Sequence, residues 1–363
     1  MIQILNIYNR QSIGKSDLKK IRTLLVDNSV FFQKKIEKLF RNDLNIEIVG
    51  IAADAYEARD LIVRQKPNVL ALEIELPRLN GLDFLEKLMP QYPLPVVILT
   101  KSNRKEKSET LRALNLGAVD FIKKPINFND KSIKNFIMKL KTKLMIASTA
   151  NVSHWKKERK TKSTKVVNQI QASENVKGKL IVIGASTGGT EATKEIITKL
   201  SPKTPGILVI QHMPKAFTKM YAENLDKICY MKVKEAQEGD IVRQGNIYIA
   251  PGDFHMVIDR QYRLHLKKTP QVHNQRPAVD VTMNSVAENI GSNAYGILLT
   301  GMGRDGAEGL LNMYKAGSRN IVQDEETSVV YSMPKVAWEL NAAETQLPIQ
   351  SIANSIIQMI KRD

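Results

Sequence analysis

The sequence predicts an α/β protein made of two parallel-sheet domains in tandem. Three observations carry that prediction. Short apolar runs rich in β-branched residues alternate with segments whose apolar residues recur at helical spacing. Most of the runs end in a polar or charged residue and lead into a helical segment, the succession from which parallel sheets are built. A polar, basic stretch divides the chain near its middle. The 363 residues fit two domains, on a prior of about 150 residues each. Hydrophobic residues make up 43%, enough for each half to bury a core. The expected divisions are an N-terminal extension over 1–20, a first domain over 21–145, a basic linker over 146–177 and a second domain over 178–363.

In the first domain, Ile21 to Val26 reads as a strand ending in Asp27. Phe31 to Phe40 reads as a helix with Phe32, Ile36, Leu39 and Phe40 on one face. Strands follow at Ile46 to Ala52, at Val69 to Leu72 ahead of Glu73, at Val96 to Leu99 ahead of Thr100, and at Val119 to Ile122 ahead of Lys123-Lys124-Pro125. Helices are expected at Tyr56 to Arg64 and Leu111 to Leu116, the latter stopped by Gly117. Asp27, Glu73, Thr100 and Lys124 thus fall at the carboxyl ends of strands, the edge where open α/β sheets bind ligands.

The second domain opens on Leu180-Ile181-Val182-Ile183, a buried strand, then Gly184-Ala185-Ser186-Thr187-Gly188-Gly189, then a helix carrying Ala192, Ile196, Ile197 and Leu200. Ser186 therefore sits in a tight turn at a helix N-terminus, and Gly184-x-Ser186-x-Gly188 matches the nucleophile-elbow pattern. The rival reading of this turn is a glycine-rich phosphate cradle. The apolar run Ile207 to Gln211 leads into His212. The run Tyr295 to Thr300 leads into Gly301-Met302-Gly303-Arg304-Asp305-Gly306 and a helix with Leu310, Leu311 and Tyr314. A nucleophile, a base and an orienting carboxylate could converge at one sheet edge. The order Ser186, His212, Asp305 differs from that of α/β-hydrolases. Asp253, in Pro251-Gly252-Asp253, is the rival carboxylate but has turn chemistry. The backbone N–H groups of Met302 and Gly303, with Thr187 beside Ser186, are the oxyanion and cleft candidates. His255 and His273 read as loop residues that could line the cleft. His265 alternates outward and His154 lies in the linker.

The rest of the sequence narrows the function class. No apolar run approaches the ~18 residues of a membrane span, and Met1 to Lys20 lacks the layout of a signal peptide. One cysteine, Cys229, gives no intramolecular disulfide and no cysteine metal cluster, which fits the cytoplasm. The formal net charge is +17. Much of it gathers between Lys131 and Lys179, and composition reads the part from about Ser148 to Lys177 as solvated linker rather than a nucleic-acid-binding face. No pair of histidines has metal-ligand spacing.

Two resemblances sharpen these readings. Val26-Asp27-Asn28-Ser29, Leu72-Glu73-Ile74-Glu75-Leu76-Pro77, Asn80-Gly81, Leu99-Thr100 and Asp120-Phe121-Ile122-Lys123-Lys124-Pro125 resemble the response-regulator receiver domain, a flavodoxin-like doubly wound sheet. That resemblance implies a phosphate-accepting aspartate, acidic Mg²⁺ ligands, a hydroxyl and a lysine, and so marks Asp27, Asn28, Glu73, Thr100 and Lys124 as the pocket. This chain departs from the pattern with Glu73 at the acceptor and Asn28 at the second acidic position. Glu73 should reach toward Thr100 and Lys124, and Asn28 weakens the Mg²⁺ site. The second half resembles the catalytic domain of chemotaxis protein-glutamate methylesterases through Ile183 to Thr190, Gln211-His212-Met213-Pro214, Ile249 to Asp253, Arg276-Pro277-Ala278-Val279-Asp280, Leu299 to Gly306 and Gln323-Asp324. It implies Ser186 as nucleophile, His212 as base and Asp305 as its partner, with no cofactor. It also implies methyl-accepting chemotaxis receptors as substrates, glutamine deamidation as a second activity, and a chemotaxis histidine kinase as a candidate partner. Arg304 and Ala278 depart from the residues usual there. The competing reading is a catalytically inactive scaffold that holds receptors or a phosphodonor.

Overall fold

The computed structural model describes residues 20–101, 104–127, 129–156 and 178–362; the expected extension before Lys20 and residues 157–177 of the linker lie outside them. The first half has strands β1 (Ile21–Val26), β2 (Ile46–Ala52), β3 (Val69–Glu73), β4 (Val96–Thr100) and β5 (Asp120–Lys123). Between and after them run helices α1 (Val30–Phe40), α2 (Ala55–Gln65), α3 (Gly81–Gln91), α4 (Arg104–Asn115) and α5 (Asp130–Ser148). The strand order is β2-β1-β3-β4-β5, and every pairing is parallel. β3 and β4 are buried at every residue because helices cover both faces. Short polar side chains start the helices: Ser29, Asp54 and Asn80 accept backbone N–H groups at the first turns of α1, α2 and α3.

Some expectations need correction here. Leu39 is 38% exposed, at the edge of the stripe that Phe32, Ile36 and Phe40 bury. Helix α3 had no reading in the sequence, and its Pro90 argues against a helix; the proline is tolerated in the last turn. Helix α5 takes up part of the basic stretch. Ile133, Phe136, Leu140 and Leu144 bury one side of it, while Lys141 and Lys143 pair with Asp43 and Asp120. Those lysines belong to a folded face of the first domain. The linker's first residues are also built in. Asn151 donates its backbone N–H to the Val329 carbonyl at 2.8 Å and its side-chain amide to the Glu326 carbonyl at 3.1 Å. A 3₁₀ turn over Ser153–Lys156 then lays the Trp155 indole on the backbone of Gly117.

The second half has strands β6 (Leu180–Ala185), β7 (Gly206–Gln211), β8 (Lys232–Glu235), β9 (Asn246–Ile249), β12 (Ala294–Leu298), β13 (Arg319–Gln323) and β14 (Thr345–Leu347) in one sheet. Their order is β14-β13-β12-β6-β7-β9-β8, all parallel, and β10 (His255–Ile258) and β11 (Leu264–Lys267) form a separate antiparallel hairpin. The helices are α6 (Gly189–Ile197), α7 (Lys215–Asp226), α8 (Val279–Asn289), α9 (Ala307–Lys315), α10 (Met333–Glu339) and α11 (Ile349–Arg362). Along β6, Ile181, Ile183 and Ala185 feed one core with residues of α6, α7 and α11, while Leu180 and Val182 feed another with residues of α8, α9 and α10. The first of these cores runs on into the other domain. Among the described residues, no helix is long and apolar enough to cross a membrane.

Phe121 of β5 and Phe217 of α7 meet across the two domains in a tilted pair, with ring centroids 4.6 Å apart and planes at 49°. A double-mutant cycle on Phe121→Ala and Phe217→Ala in urea unfolding should give a coupling of about 0.5–1.5 kcal/mol. Additive effects would show that the pair does not join the domains.

Candidate active site

Strand β6 is the first of its sheet and lies between β12 and β7. On one side the chain builds β7, then the edge strand β8, then β9 between them, and it returns to build β12, β13 and β14 on the other. Such a reversal opens a crevice beyond the carboxyl ends of the strands. Ser186 follows β6, His212 follows β7 and Asp305 follows β12 in the loop that enters α9. Register aligns the first two: Ala185 pairs with Gln211, and the His212 N–H donates to the Ala185 carbonyl at 3.1 Å.

The serine turn is held on every side. The Ser186 N–H donates to the Thr300 carbonyl at 3.0 Å, and the Ser186 carbonyl accepts from Gly189 at 2.8 Å and from Gln211 Nε2 at 2.9 Å. Gln211 Nε2 also reaches the His212 carbonyl at 3.3 Å, so one amide ties the two strand ends together. Gly188 has φ of 78°, a left-handed turn that favours glycine. Gly301 must lack a side chain because a Cβ there would lie 2.7 Å from Ser186 Cβ.

His212 meets Asp305 through Nε2, 2.7 Å from Oδ2. An ionised carboxylate only accepts, so Nε2 carries the proton and the Nδ1 lone pair is left to act as base. Ser186 Oγ and His212 are not hydrogen-bonded in this structure, and such bonds often tighten only with substrate. Asp305 is 2% exposed. Its Oδ2 also accepts the Val279 N–H at 2.8 Å, and its Oδ1 accepts the Asp280 N–H at 2.9 Å. Those are the first N–H groups of α8, whose cap residue Ala278 has no side chain to offer them. Burial by itself would raise the Asp305 carboxyl. The His212 bond and charge and the two N–H groups outweigh burial and hold it below the usual carboxylate range.

Asp280 returns the favour. Its Oδ1 accepts the Gly309 N–H, in the first turn of α9, at 2.6 Å, where the cap residue Gly306 likewise offers no side chain. The sequence quoted Asp280 in a motif but gave it no role. The Pro277 just ahead of α8 was the available helix-start signal. Asp253 is half-buried, has φ of 70° and pairs with Arg276 and not with His212.

The remaining candidates sort themselves by contact. Gly303 needs correction, because its N–H donates to Ser332 Oγ at 3.2 Å and its carbonyl accepts from that hydroxyl at 2.9 Å. The Thr187 carbonyl accepts the Thr300 hydroxyl at 3.0 Å. His255 is no loop residue: it lies on β10, fully buried, with the Ala278 N–H on Nδ1 at 3.2 Å and the Pro270 carbonyl 3.0 Å from Nε2. It thus anchors the approach to α8. His273 meets Asp280 Oδ2 at 2.8 Å, and His265 bridges Glu238 and Asp259 on the hairpin side. Arg304 pairs with Glu308.

In the first domain, the Lys124 ammonium forms ion pairs with both Asp27 and Glu73, and all three side chains are buried. The Phe32 ring lies 4.5 Å from Lys124 Nζ. Glu73 Oε1 accepts the Ile74 N–H at 2.9 Å. Asn28 turns its amide to the Glu75 carbonyl at 3.0 Å. Thr100 does not meet Glu73 as expected: its hydroxyl donates to the Lys101 carbonyl at 3.3 Å and accepts from Thr110 at 3.0 Å. A Mg²⁺ ion asks for about six oxygens in octahedral array. Here both carboxylates hold an ammonium and the neighbouring position offers an amide, so these residues do not fit that ion.

Two families match the chain: CheB methylesterase over residues 181–356 and response regulator receiver domain over residues 23–134. The protein-glutamate methylesterase/protein-glutamine glutaminase of Syntrophotalea carbinolica is 45% identical, covering 94% of this chain and 98% of its own. A second protein of that name from Syntrophomonas wolfei is 42% identical, covering 95% of this chain and 99% of its own. The crystal structure of the Thermotoga maritima CheB methylesterase catalytic domain is 41% identical over 50% of this chain and 98% of that one, with a TM-score of 0.49.

The capping bonds make a stability prediction. Asp305→Ala should cost about 1–2 kcal/mol in urea unfolding at pH 7 by orphaning two helix N–H groups, while Asp253→Asn, which suits the left-handed backbone there, should stay within about 0.5 kcal/mol. The sign with pH follows from the lowered Asp305 carboxyl. Its contribution is present above the unfolded carboxylate value of about 4 and is lost as pH falls through the folded one. The gap between wild type and Asp305→Ala should therefore narrow on acidification; a gap that widens contradicts the assignment.

Proposed function

Since the chain belongs to the protein-glutamate methylesterase family, we propose from that premise how its own residues do the work. The reaction is hydrolysis of glutamate γ-methyl esters, with deamidation of glutamine side chains as the companion activity. Methyl-accepting chemotaxis receptors are the protein substrates in this reading, and a cytoplasmic setting goes with them. The observation that carries the mechanism is the 2.7 Å bond from His212 Nε2 to Asp305, beside Ser186 on the paired strand.

His212 Nδ1 takes the proton from Ser186 Oγ as that oxygen attacks the ester carbonyl. The developing oxyanion is held by the N–H groups of Thr187 and Met302, at the α6 N-terminus where the dipole favours negative charge. The tetrahedral intermediate collapses, His212 returns the proton to the leaving oxygen and methanol departs. Water, deprotonated by the same imidazole, then releases free glutamate and restores Ser186. A glutamine substrate follows the same course with ammonia as the leaving group. No step calls for a metal or an organic cofactor. Asp305 keeps the proton on Nε2 and stabilises the imidazolium. An inactive scaffold would need the helix caps on Asp305 but not the bond from Asp305 to His212.

The receiver acts differently from its relatives' pattern in this reading. With Lys124 shared between Asp27 and Glu73, the pocket is neutralised from within. It neither accepts phosphate from a kinase nor takes up Mg²⁺, and it stays in one arrangement.

Methanol release from methylated receptor tests the chemistry. Ser186→Ala should lower turnover by up to ~10⁶ and Asp305→Asn by up to ~10⁴, judging from serine proteases. Near-normal turnover by folded Ser186→Ala protein would remove the serine from the mechanism. For the receiver, wild type incubated with a small phosphodonor and Mg²⁺ should neither label nor change in activity, while the double variant Glu73→Asp, Asn28→Asp regains labelling. Stoichiometric Mg²⁺-dependent labelling of Glu73 in wild type would overturn the closed-pocket reading.

A further inference from the structure

Behind the triad lies a second histidine–carboxylate pair to which the mechanism gives no work. Asp280 is 5% exposed, whereas the His273 side chain that meets its Oδ2 is 33% exposed. The backbone N–H of Asp280 holds Asp305 Oδ1. One ligand atom from each of His273, Asp280 and Asp305 lies within 4.8 Å of the others. A charge on Asp280 is therefore felt at Asp305 and, through it, at His212, while His273 connects the pair to solvent.

A helix clamp alone would not need a carboxylate. An asparagine oxygen could accept the Gly309 N–H equally well. What asparagine cannot supply is a negative charge for His273 to hold. Two buried carboxylates this close do not ionise alike. Burial and the Asp305 charge raise the Asp280 carboxyl, while the Gly309 N–H and His273 work against them. Asp305 is held down. Asp280 is thus the member of the pair that takes up a proton first as pH falls. The other charged or titratable groups on the elements around it are engaged elsewhere: Arg276 with Asp253, His255 with the Pro270 carbonyl and the Ala278 N–H, and Arg304 with Glu308.

We infer that Asp280 is a positioning residue for the Asp305–His212 pair, kept ionised by His273, and that these two residues set the pH at which the enzyme loses activity on the acid side. The inference rests on Ser186, His212 and Asp305 being the triad. When Asp280 is protonated, the negative charge behind Asp305 is lost and the imidazolium formed during catalysis is less well held.

The test is the pH profile of methanol release by the full-length enzyme from a helical peptide carrying one glutamate γ-methyl ester. Asp280→Asn, which is neutral at every pH, should lower kcat at neutral pH by up to about tenfold with KM unchanged and remove the Asp280 step from the acid limb of kcat/KM, the order expected for removing one charge from a partly buried site. His273→Ala, which takes the donor from Asp280 and lets that carboxyl protonate at higher pH, should move the acid limb of kcat/KM up by about one pH unit. His273→Gln, which keeps a donor, should stay near wild type, and the Asp280→Asn, His273→Ala pair should shift no further than Asp280→Asn alone. Should Asp280→Asn fail to fold, the two His273 variants on their half-exposed loop carry the comparison. An active wild type whose acid limb is unmoved by these changes overturns the inference alone and leaves Asp280 a helix clamp. A wild type releasing no more methanol than Ser186→Ala overturns the triad reading and this inference with it.

Discussion

The second domain depends on a crossed pair of helix caps. Helices α8 and α9 begin at residues that cannot cap them, Ala278 and Gly306. Each is capped instead by an aspartate from the other's chain: Asp305, ahead of α9, binds the first N–H groups of α8, and Asp280, inside α8, binds an N–H of α9. Each cap is worth about 1 kcal/mol by the usual measure. Their positional effect is larger. Because α8 and α9 pack on one face of the sheet, the crossing fixes where Asp305 stands relative to the end of β7, and so where the ring of His212 is held. The helix dipole of α8 also supplies part of the positive field that keeps Asp305 ionised.

The buried pocket of the first domain uses the same materials to the opposite end. At Asp305 the compensating partners are neutral N–H groups and an imidazole. At Glu73 the partner is a lysine ammonium enclosed between two carboxylates and an aromatic ring. Breaking a buried ion pair by removing one member typically costs about 3–5 kcal/mol, because a lone charge is left in a poor solvent. One site is arranged for proton traffic and the other for permanence.

How much of this could be read from the chain differs from residue to residue. The parallel sheets were legible because β3, β4, β6 and β7 are buried on both faces and so stand out as unbroken apolar runs. The positions of Ser186 and His212 were legible for the same reason, since each directly follows such a run. Helix α5 was obscured by its lysines, which are spread over its wet face, and His255 by a strand only four residues long. Asp280 and Gly303 were beyond local reading. Their roles come from Gly309 and Ser332, each 29 residues away, and those meetings exist only once the helices are packed.

The strap at Asn151 carries a further consequence, for concentration. Helix α5 ends at Ser148, and three residues later Asn151 is already bonded to the carbonyls of Glu326 and Val329 on the other domain. Because the two domains share one chain, their surfaces meet at an effective concentration of roughly millimolar. Their association cannot be diluted away, and it is indifferent to how much protein a cell makes. Anything that parts the two domains must outcompete a neighbour that never leaves. A change of about 1.4 kcal/mol at the shared surface shifts the balance tenfold at any expression level.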